Sequence, residues 1–510
     1  MNKDLNILFS GFLYEWNFPI LEKIKNRFEV KNSIHIGSNR TIIENDYIPN
    51  YNREDLKFGY YYNNIDWNTI PPLDNEILNE FYECEVRVLE MISRVNDRLT
   101  LHERKDLYYK NLRYWLWKIN ITNINLFISD NIPHEVFDYV IYKICKFLKI
   151  KTIMFHELPS KPHRHIMIHM VDNIESLGKD IYEKYNNLLL DKKDVYKKNL
   201  QKELINYKDD MKKDPCELIQ FTQKDKKLNF LKIIFLWISH NLQSFLNSIR
   251  LERKFMISEK LDNFEIINFF LKTIFKKIIN FLSRIYIVSL YLLRLKIIPI
   301  NFYKQNCLKK VNLTCNYIYF PLHFQPELST SPLAENYNSQ ELIISNISSS
   351  LPENTLLYVK EHPRISKNRG LKFYEDLLKI NNVRFISSNF NSYTLIDNAI
   401  AVATATGSVG WEAFHRDKPV LMFGRRFYQY APGVYKINSY DECCLAIDKI
   451  INKKNNNKVL KEKYLLALNE FAFRGYNSKT KEKISDISKD ENINNHYKKI
   501  VDEVNRDFYE

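Results

Sequence analysis

The sequence predicts two α/β halves, each a parallel sheet wound with helices, held apart by a helical insert. Three observations carry this. Near the N-terminus short apolar runs lead into amphipathic stretches, the signature of βαβ units. The same alternation returns at residue 317 and runs almost unbroken to 452. Between the two, Lys and Arg interrupt apolar runs every few residues. A chain of 510 residues agrees with two or three domains at about 150 residues each. With 45% hydrophobic and 14% aromatic residues it can bury a sizeable core, which excludes wholesale disorder and collagen-like composition.

In the N-terminal half, LNILF (Leu5–Phe9) reads as a strand, Pro19–Phe28 as a helix and Ile34–Ile36 as a second strand. A helix is expected over Asn75–Leu99. Asn125–Ser129 forms a strand that leads into an amphipathic helix, His134–Leu148, and Thr152–His156 is the next strand. In the C-terminal half the expected strands are Tyr317–Pro321, Leu356–Lys360, Val383–Ile386, Ile400–Thr404 and Pro419–Phe423. The expected helices are Gln340–Ser350, Phe373–Ile380, Thr394–Ala399, Val409–His415 and Cys443–Asn452. Short connections between them suit a doubly wound sheet. The implied domains are 1–171, a basic amphipathic insert at 172–310, 311–458, and closing helices with a charged tail at 459–510.

The longest uncharged apolar run of the insert, Ile285–Leu293, is far short of the ~20 residues that span a bilayer. Its basic helices suit either packing on the core or contact with anionic lipid at the inner face of the membrane. The net charge of +14 comes from Lys spread through helices and loops alike, so nucleic-acid binding is not predicted. Seven scattered Cys without a CxxC pair argue against a disulfide framework or zinc ribbon and point to the cytoplasm. The N-terminus lacks the pattern of a secretory signal.

In an open parallel sheet, ligands bind outside the carboxyl ends of the strands, where helix N-termini converge. That rule selects the candidates. LLYVKEHPR places Lys360, Glu361, His362 and Arg364 at one strand end, cations suited to phosphate. AVATATGSVGWEAF follows its strand with Thr406, Gly407 and Ser408, the expected N-cap, and places Glu412 one turn later on the face of Ser408, where it could accept bonds from a ribose. Neither a Walker A loop nor GxGxxG is present, which removes support for ATPase and dehydrogenase readings. YFPLHFQPELSTSP offers His323, Gln325, Glu327, Ser329 and Thr330 to line a cleft. In the N-terminal half Asp130, His134 and Glu135 follow one strand, and His156, Glu157, His163, Arg164 and His165 follow another. Pro159 and Pro162 break any helical face there, so no metal site is predicted.

YVKEHPR, followed some forty positions on by TATGSVGWEAF and KPVLMFG, is similar to the capsular polysaccharide biosynthesis family, which includes Kdo-type transferases and is related in layout to GT-B glycosyltransferases. YFPLHFQPELSTSP and NIPHE resemble the same family. The resemblance is best over 317–435, weaker over 120–170 and absent from the insert. It implies two Rossmann-like domains facing a cleft, with a nucleotide sugar held by the C-terminal one and a glycan or glycolipid acceptor by the N-terminal one. Lys360 and His362 would then face the donor phosphates, joined by Arg364; Thr406, Gly407 and Ser408 would cap them, and Glu412 would address the ribose. Asp130, His134 and Glu135 are the candidates for handling the acceptor proton, and His362 joins them as a catalytic candidate. No cofactor beyond the nucleotide-sugar substrate is implied. The alternatives are a nucleotide-sugar 2-epimerase, a CDP-alditol phosphotransferase of the teichoic-acid type, and a non-catalytic assembly or export partner.

Overall fold

The structure is a computed structural model and describes residues 4–12, 17–38, 50–96, 99–158, 166–188 and most of 297–509, with a few positions between 275 and 286. Most of the insert, together with Ser329, Arg364 and the candidates His163, Arg164 and His165, lies outside the described residues.

The chain opens with β1 (Leu5–Ser10), α1 (Phe18–Arg27), β2 (Val30–Gly37) and the two-residue β3 (Tyr51–Asn52). Four helices follow: α2 (Arg53–Phe58), α3 (Asn75–Glu80), α4 (Tyr82–Val95) and α5 (Leu101–Ile121). The single helix expected over Asn75–Leu99 is thus two, divided at Phe81, which is buried and serves as C-cap of one and N-cap of the next. The capping box of Thr100 and Glu103 starts α5. Then come β4 (Leu126–Ser129), α6 (Val136–Phe147), β5 (Lys151–Glu157), β6 (Met167–Val171) and α7 (Lys179–Asn187).

The C-terminal half runs α8 (Ile298–Gln305), β7 (Tyr317–Pro321), α9 (Gln340–Ser350), β8 (Leu356–Lys360), α10 (Leu371–Leu378), β9 (Val383–Ile386), α11 (Ser392–Asn398), β10 (Ala401–Thr404), α12 (Ser408–His415), β11 (Val420–Met422), β12 (Val434–Lys436) and α13 (Tyr440–Asn452). The chain closes with α14 (Lys458–Phe471), β13 (Ala472–Arg474), α15 (Lys479–Glu482) and α16 (Lys489–Phe508).

Two sheets result. One has the order β13-β6-β5-β4-β1-β2-β3, in which β1 to β5 are parallel and β6 and β13 add an antiparallel edge. The other, β12-β11-β10-β7-β8-β9, is parallel throughout. Both begin at an inner strand, wind outward, and return to the far side of that strand, so each is a doubly wound, Rossmann-like sheet. Two doubly wound sheets are the architecture that the sequence predicts. Burial explains why the central strands read so clearly. On β7, Ile318 and Phe320 enter the core on one face while Tyr317 and Tyr319 enter that on the other, so no polar residue interrupts the strand.

The closing segment returns to the N-terminal half. There β13 pairs with β6, α16 packs on α1, and Lys23 Nζ donates to Asn494 Oδ1 at 2.7 Å. Where the halves meet, Trp411, Phe414, Phe427 and Tyr428 share one apolar core with Leu177, Ile181 and Tyr464. The His156 ring, at the end of β5, lies 6.1 Å from that of Phe427, after β11. Gln429 Nε2 donates to Leu177 O at 2.6 Å. These contacts bring the carboxyl ends of β5 and β11 together, and the crevice between the sheets begins there.

Candidate functional site

In each sheet the strand order reverses at one place, between β7 and β10 in the C-terminal half and between β1 and β4 in the N-terminal half. At both places a crevice opens between loops that diverge in opposite directions.

The C-terminal crevice is organised by His323, just past β7. Its backbone N–H donates to Gln340 Oε1 at 2.7 Å. Its Nε2 accepts the Ala405 N–H at 3.1 Å and lies 3.1 Å from Thr404 Oγ1, so the ring proton sits on Nδ1. Burial, reinforced by the charges of Arg369, His362 and Arg426, pushes its pKa down to about 3, and the ring is neutral at physiological pH. Thr404 Oγ1 in turn accepts the Gly407 N–H at 2.8 Å. Gly407 is obligatory, because a Cβ there would lie 2.8 Å from His323 Cε1 and 2.9 Å from Thr404 Oγ1. The helix start differs from expectation. Gly407, extended at φ −70° and ψ 157°, is the N-cap of α12, and Ser408 is its first residue. Ser408 Oγ donates instead to Glu412 Oε1 at 3.3 Å, so the two share a helix face as the spacing requires. Thr406 is fully buried with its methyl against Gly424.

The KEHPR loop divides. Lys360 is buried, and its Nζ donates to Phe390 O and to Ser392 Oγ, both at 2.6 Å, which ties the end of β8 to the start of α11. This corrects the expectation that its ammonium is presented to a phosphate. Glu361 is also buried; it accepts the Tyr374 hydroxyl at 2.6 Å and pairs with Arg369. Arg369, which the sequence reading missed, also donates to His323 O and Gln325 Oε1, and so joins the β7 and β8 loops. His362 remains half-buried, its ring 5.6 Å from that of Phe324. Gln325 donates to Asn338 O, and the Glu327 N–H is held by Thr330 Oγ1 at 3.0 Å.

In the N-terminal crevice Asp130 follows β4. Its Oδ2 accepts the Phe12 N–H at 2.8 Å and Asn17 Nδ2 at 3.3 Å. Gly11, at φ 90°, lets the β1–α1 loop approach this closely, since a Cβ there would sit 2.1 Å from Asp130 Oδ1. His35 Nε2 donates to Gly11 O at 2.7 Å and supports the same turn. Burial raises the Asp130 pKa to about 6 against the opposing pull of the Phe12 N–H and Arg53. A carboxyl group titrating there can exchange protons near neutral pH.

Its neighbours are committed otherwise. Burial works against ionisation of Glu135, yet Arg53 and Lys57, at 2.5 and 3.4 Å, hold its pKa below the usual carboxylate range. Glu135 is therefore a salt-bridged N-cap of α6, which corrects its candidacy as a base. Asp138, buried beside it, accepts the Glu135 N–H at 2.7 Å and the His134 N–H at 3.3 Å, and burial keeps its pKa well above the ordinary value. His134 Nδ1 donates to Ile132 O at 2.7 Å. Arg53 and Asp138 carried no signal in the sequence, since only the fold brings residue 53 to the end of β4.

Among the described residues no group of three His, Cys, Asp or Glu side chains is placed to hold a metal ion. His156 is buried against Phe427, and Glu157 pairs with Lys481 at 3.1 Å.

Residues 331–470 match the capsule polysaccharide biosynthesis protein family. That stretch runs from the loop before α9 to the end of α14 and contains KEHPR, the TATGS turn and Glu412. No curated protein matches the chain. Among solved structures, the chain is similar to the KpsC beta Kdo 2,7 transferase of Thermosulfurimonas dismutans, at 11% identity over 96% of this chain and 97% of that one, with a TM-score of 0.33. It is also similar to the UDP-GlcNAc 2-epimerase of Methanocaldococcus jannaschii, at 11% identity over 92% and 99%, with a TM-score of 0.24. A third likeness is to Anabaena HepE in complex with UDP-glucose, at 14% identity over 31% and 46%, with a TM-score of 0.24. At such values these likenesses bear on neither substrate nor mechanism, and the fold rests on the strand orders themselves.

Within residues 331–470 the motif residues split into two jobs. Lys360 and Glu361 brace loops, whereas the Gly407 turn, Ser408, Glu412 and His362 line the end of the sheet where a ligand would enter.

Proposed function

We propose that the protein is a glycosyltransferase that moves a sugar from a nucleotide-activated donor to a capsular or lipopolysaccharide glycan. The observation that carries this reading is the pair of crevices. The C-terminal one offers a glycine-capped helix start, and the N-terminal one holds Asp130, whose carboxyl is raised by burial to about 6. The capsule-family match over 331–470 supports it.

The donor phosphate would meet the N–H groups at the start of α12, with His362 beside them, while Ser408 and Glu412 address the ribose. Asp130 would accept the proton of the acceptor hydroxyl as that oxygen bonds to the sugar carbon. The bond from the sugar to the phosphate breaks at the same time, and the nucleotide leaves with the electron pair. His362→Ala and Glu412→Ala are expected to lower kcat/KM or nucleotide affinity by roughly 10–1000-fold while the protein stays folded. Unchanged turnover in both would remove the assignment. Product analysis separates the rivals: an epimerised free nucleotide sugar made without acceptor, or phosphate in the polymer, would overturn glycosyl transfer.

The reading includes work at the cytoplasmic face of the membrane. No described helix is long and apolar enough to cross a bilayer. Phe275, Ile279, Leu282 and Tyr286, each helical and three or four positions from the next in the basic insert, are all exposed. Salt-sensitive binding of the protein to vesicles containing anionic lipid is the expected result, and no binding at low salt would exclude the contact.

A further inference from the structure

The loop after β11 runs Phe423, Gly424, Arg425, Arg426, Phe427, Tyr428, Gln429, and it is pinned nearly everywhere. Lys436 Nζ donates to Phe423 O and Gly424 O at 2.8 and 3.0 Å. The Arg425 guanidinium pairs with Glu335. Tyr464 donates to Phe427 O at 2.8 Å, Tyr428 to Gly407 O at 2.5 Å, and Gln429 to Leu177 O across the domain boundary. The exception is Arg426. Among the described residues its guanidinium pairs with no carboxylate, and its Nε is buried without an acceptor.

Its surroundings come from both halves. The ionisable groups near enough to act on its charge are His156 and Glu157 from the end of β5, and His323 and Tyr428 from the C-terminal crevice. Both histidines are held neutral by burial, which lowers each pKa. Glu157 is already engaged by Lys481 at 3.1 Å. Burial outweighs what attraction Glu157 and Tyr428 provide and lowers the pKa of Arg426 itself. Arg426 is half-buried, and a partly desolvated cation without a paired carboxylate favours an incoming anion. The guanidinium fork is shaped for two oxygens of a phosphate or carboxylate. Tyr428, two residues on, bonds Gly407, so Arg426 and the start of α12 border the same crevice.

We infer that Arg426 is the oxyanion-binding cation of the inter-domain crevice and that it takes a phosphate of the nucleotide donor. This rests on the nucleotide-sugar reading above. It assigns to the β11 loop the charge that Lys360, braced against α11, does not present.

Calorimetric titration of the full chain with CMP, UDP, GDP, CDP and inorganic pyrophosphate tests it, comparing wild type with Arg426→Gln and Arg426→Lys. The nucleotide that wild type binds should bind roughly 10–100-fold more weakly to Arg426→Gln, the range for one charged hydrogen-bonding group, with partial recovery in Arg426→Lys. The melting temperature of Arg426→Gln should stay level or rise, because an uncompensated charge is removed; a purely structural arginine would give a fall. Should Arg426→Gln fail to fold, Arg426→Lys keeps the charge without the fork and decides the matter by nucleotide affinity. Equal nucleotide affinity in all three proteins overturns the assignment, and a raised acceptor KM in that case would place the anion on the glycan. If wild type binds none of the four nucleotides, the glycosyl-transfer reading falls. Pyrophosphate then decides Arg426, and equal binding by wild type and Arg426→Gln overturns it.

Discussion

At the scale of single residues, Asp130 shows how burial sets both chemistry and cost. Its carboxyl group is protonated more readily in the folded chain, with a pKa of about 6 against an ordinary 3.8. A raised folded pKa contributes stability that is fully present below the unfolded value and is lost as pH rises through the folded one, so the ionised form at pH 8 costs about 2–3 kcal/mol. Asp130→Asn, whose amide oxygen can still accept the Phe12 N–H, should therefore melt higher at pH 8 and lose that advantage at pH 4. Turnover should fall about 100-fold or more if Asp130 is the base. In the wild type, kcat should climb through pH 6 and level off above it, and a flat profile from pH 5 to 8 would remove Asp130 from the chemistry. None of this titration is legible in SDNIPHE. The motif offers three ionisable residues alike, and only the approach of Gly11 and the distant Arg53 separates Asp130 from Glu135.

Among elements, legibility follows burial. The ranges read for β7, β8, β9 and α9 coincide with those observed, because these strands place apolar residues on both faces and α9 lies between clear turns. The antiparallel strands escaped. β6 carries the buried His169 in its middle, and β13 is three residues long, so neither shows a strand period. α5 escaped because its aromatic and charged residues follow no clean stripe, Tyr, Trp and Asn alike being buried along it. At the site, the turn from β10 to α12 was legible through its glycine, but the arginine that fastens the neighbouring loops was not, since nothing in KNRG sets Arg369 apart. The turn makes its own prediction. Gly407→Ala should cost about 1–3 kcal/mol, because the methyl meets the His323 ring and Thr404 Oγ1 with little room to yield. Nucleotide affinity should fall with it, read by chemical denaturation and titration on one sample. A Gly407→Ala protein with wild-type stability would mean that His323 does not hold the turn.

Over the whole molecule, the two halves are tied by more than the insert. The closing segment covers the N-terminal sheet, where the His496 ring sits 4.9 Å from both Phe155 and Phe473, and Lys151 pairs with Glu503 and Asp507. A chain ending after Phe471 would bare β6 and the face of α1 that bears Ile20 and Ile24. Such a protein should aggregate, or show partial helicity by circular dichroism without a cooperative melt. Retention of a wild-type melting temperature would mean that the N-terminal sheet is complete without its last strand.

The return of α16 onto α1 also sets an order in time. Lys23 and Asn494, hydrogen-bonded partners, are 471 positions apart. At synthesis rates of roughly 5–20 residues per second, the sheet begun first waits about 20–70 s after β6 emerges before its final strand and covering helix exist. For that interval an apolar face and an open strand edge stand exposed on the nascent chain, the condition under which chaperones engage. The half that would receive the acceptor is thus the first to be started and the last to be finished.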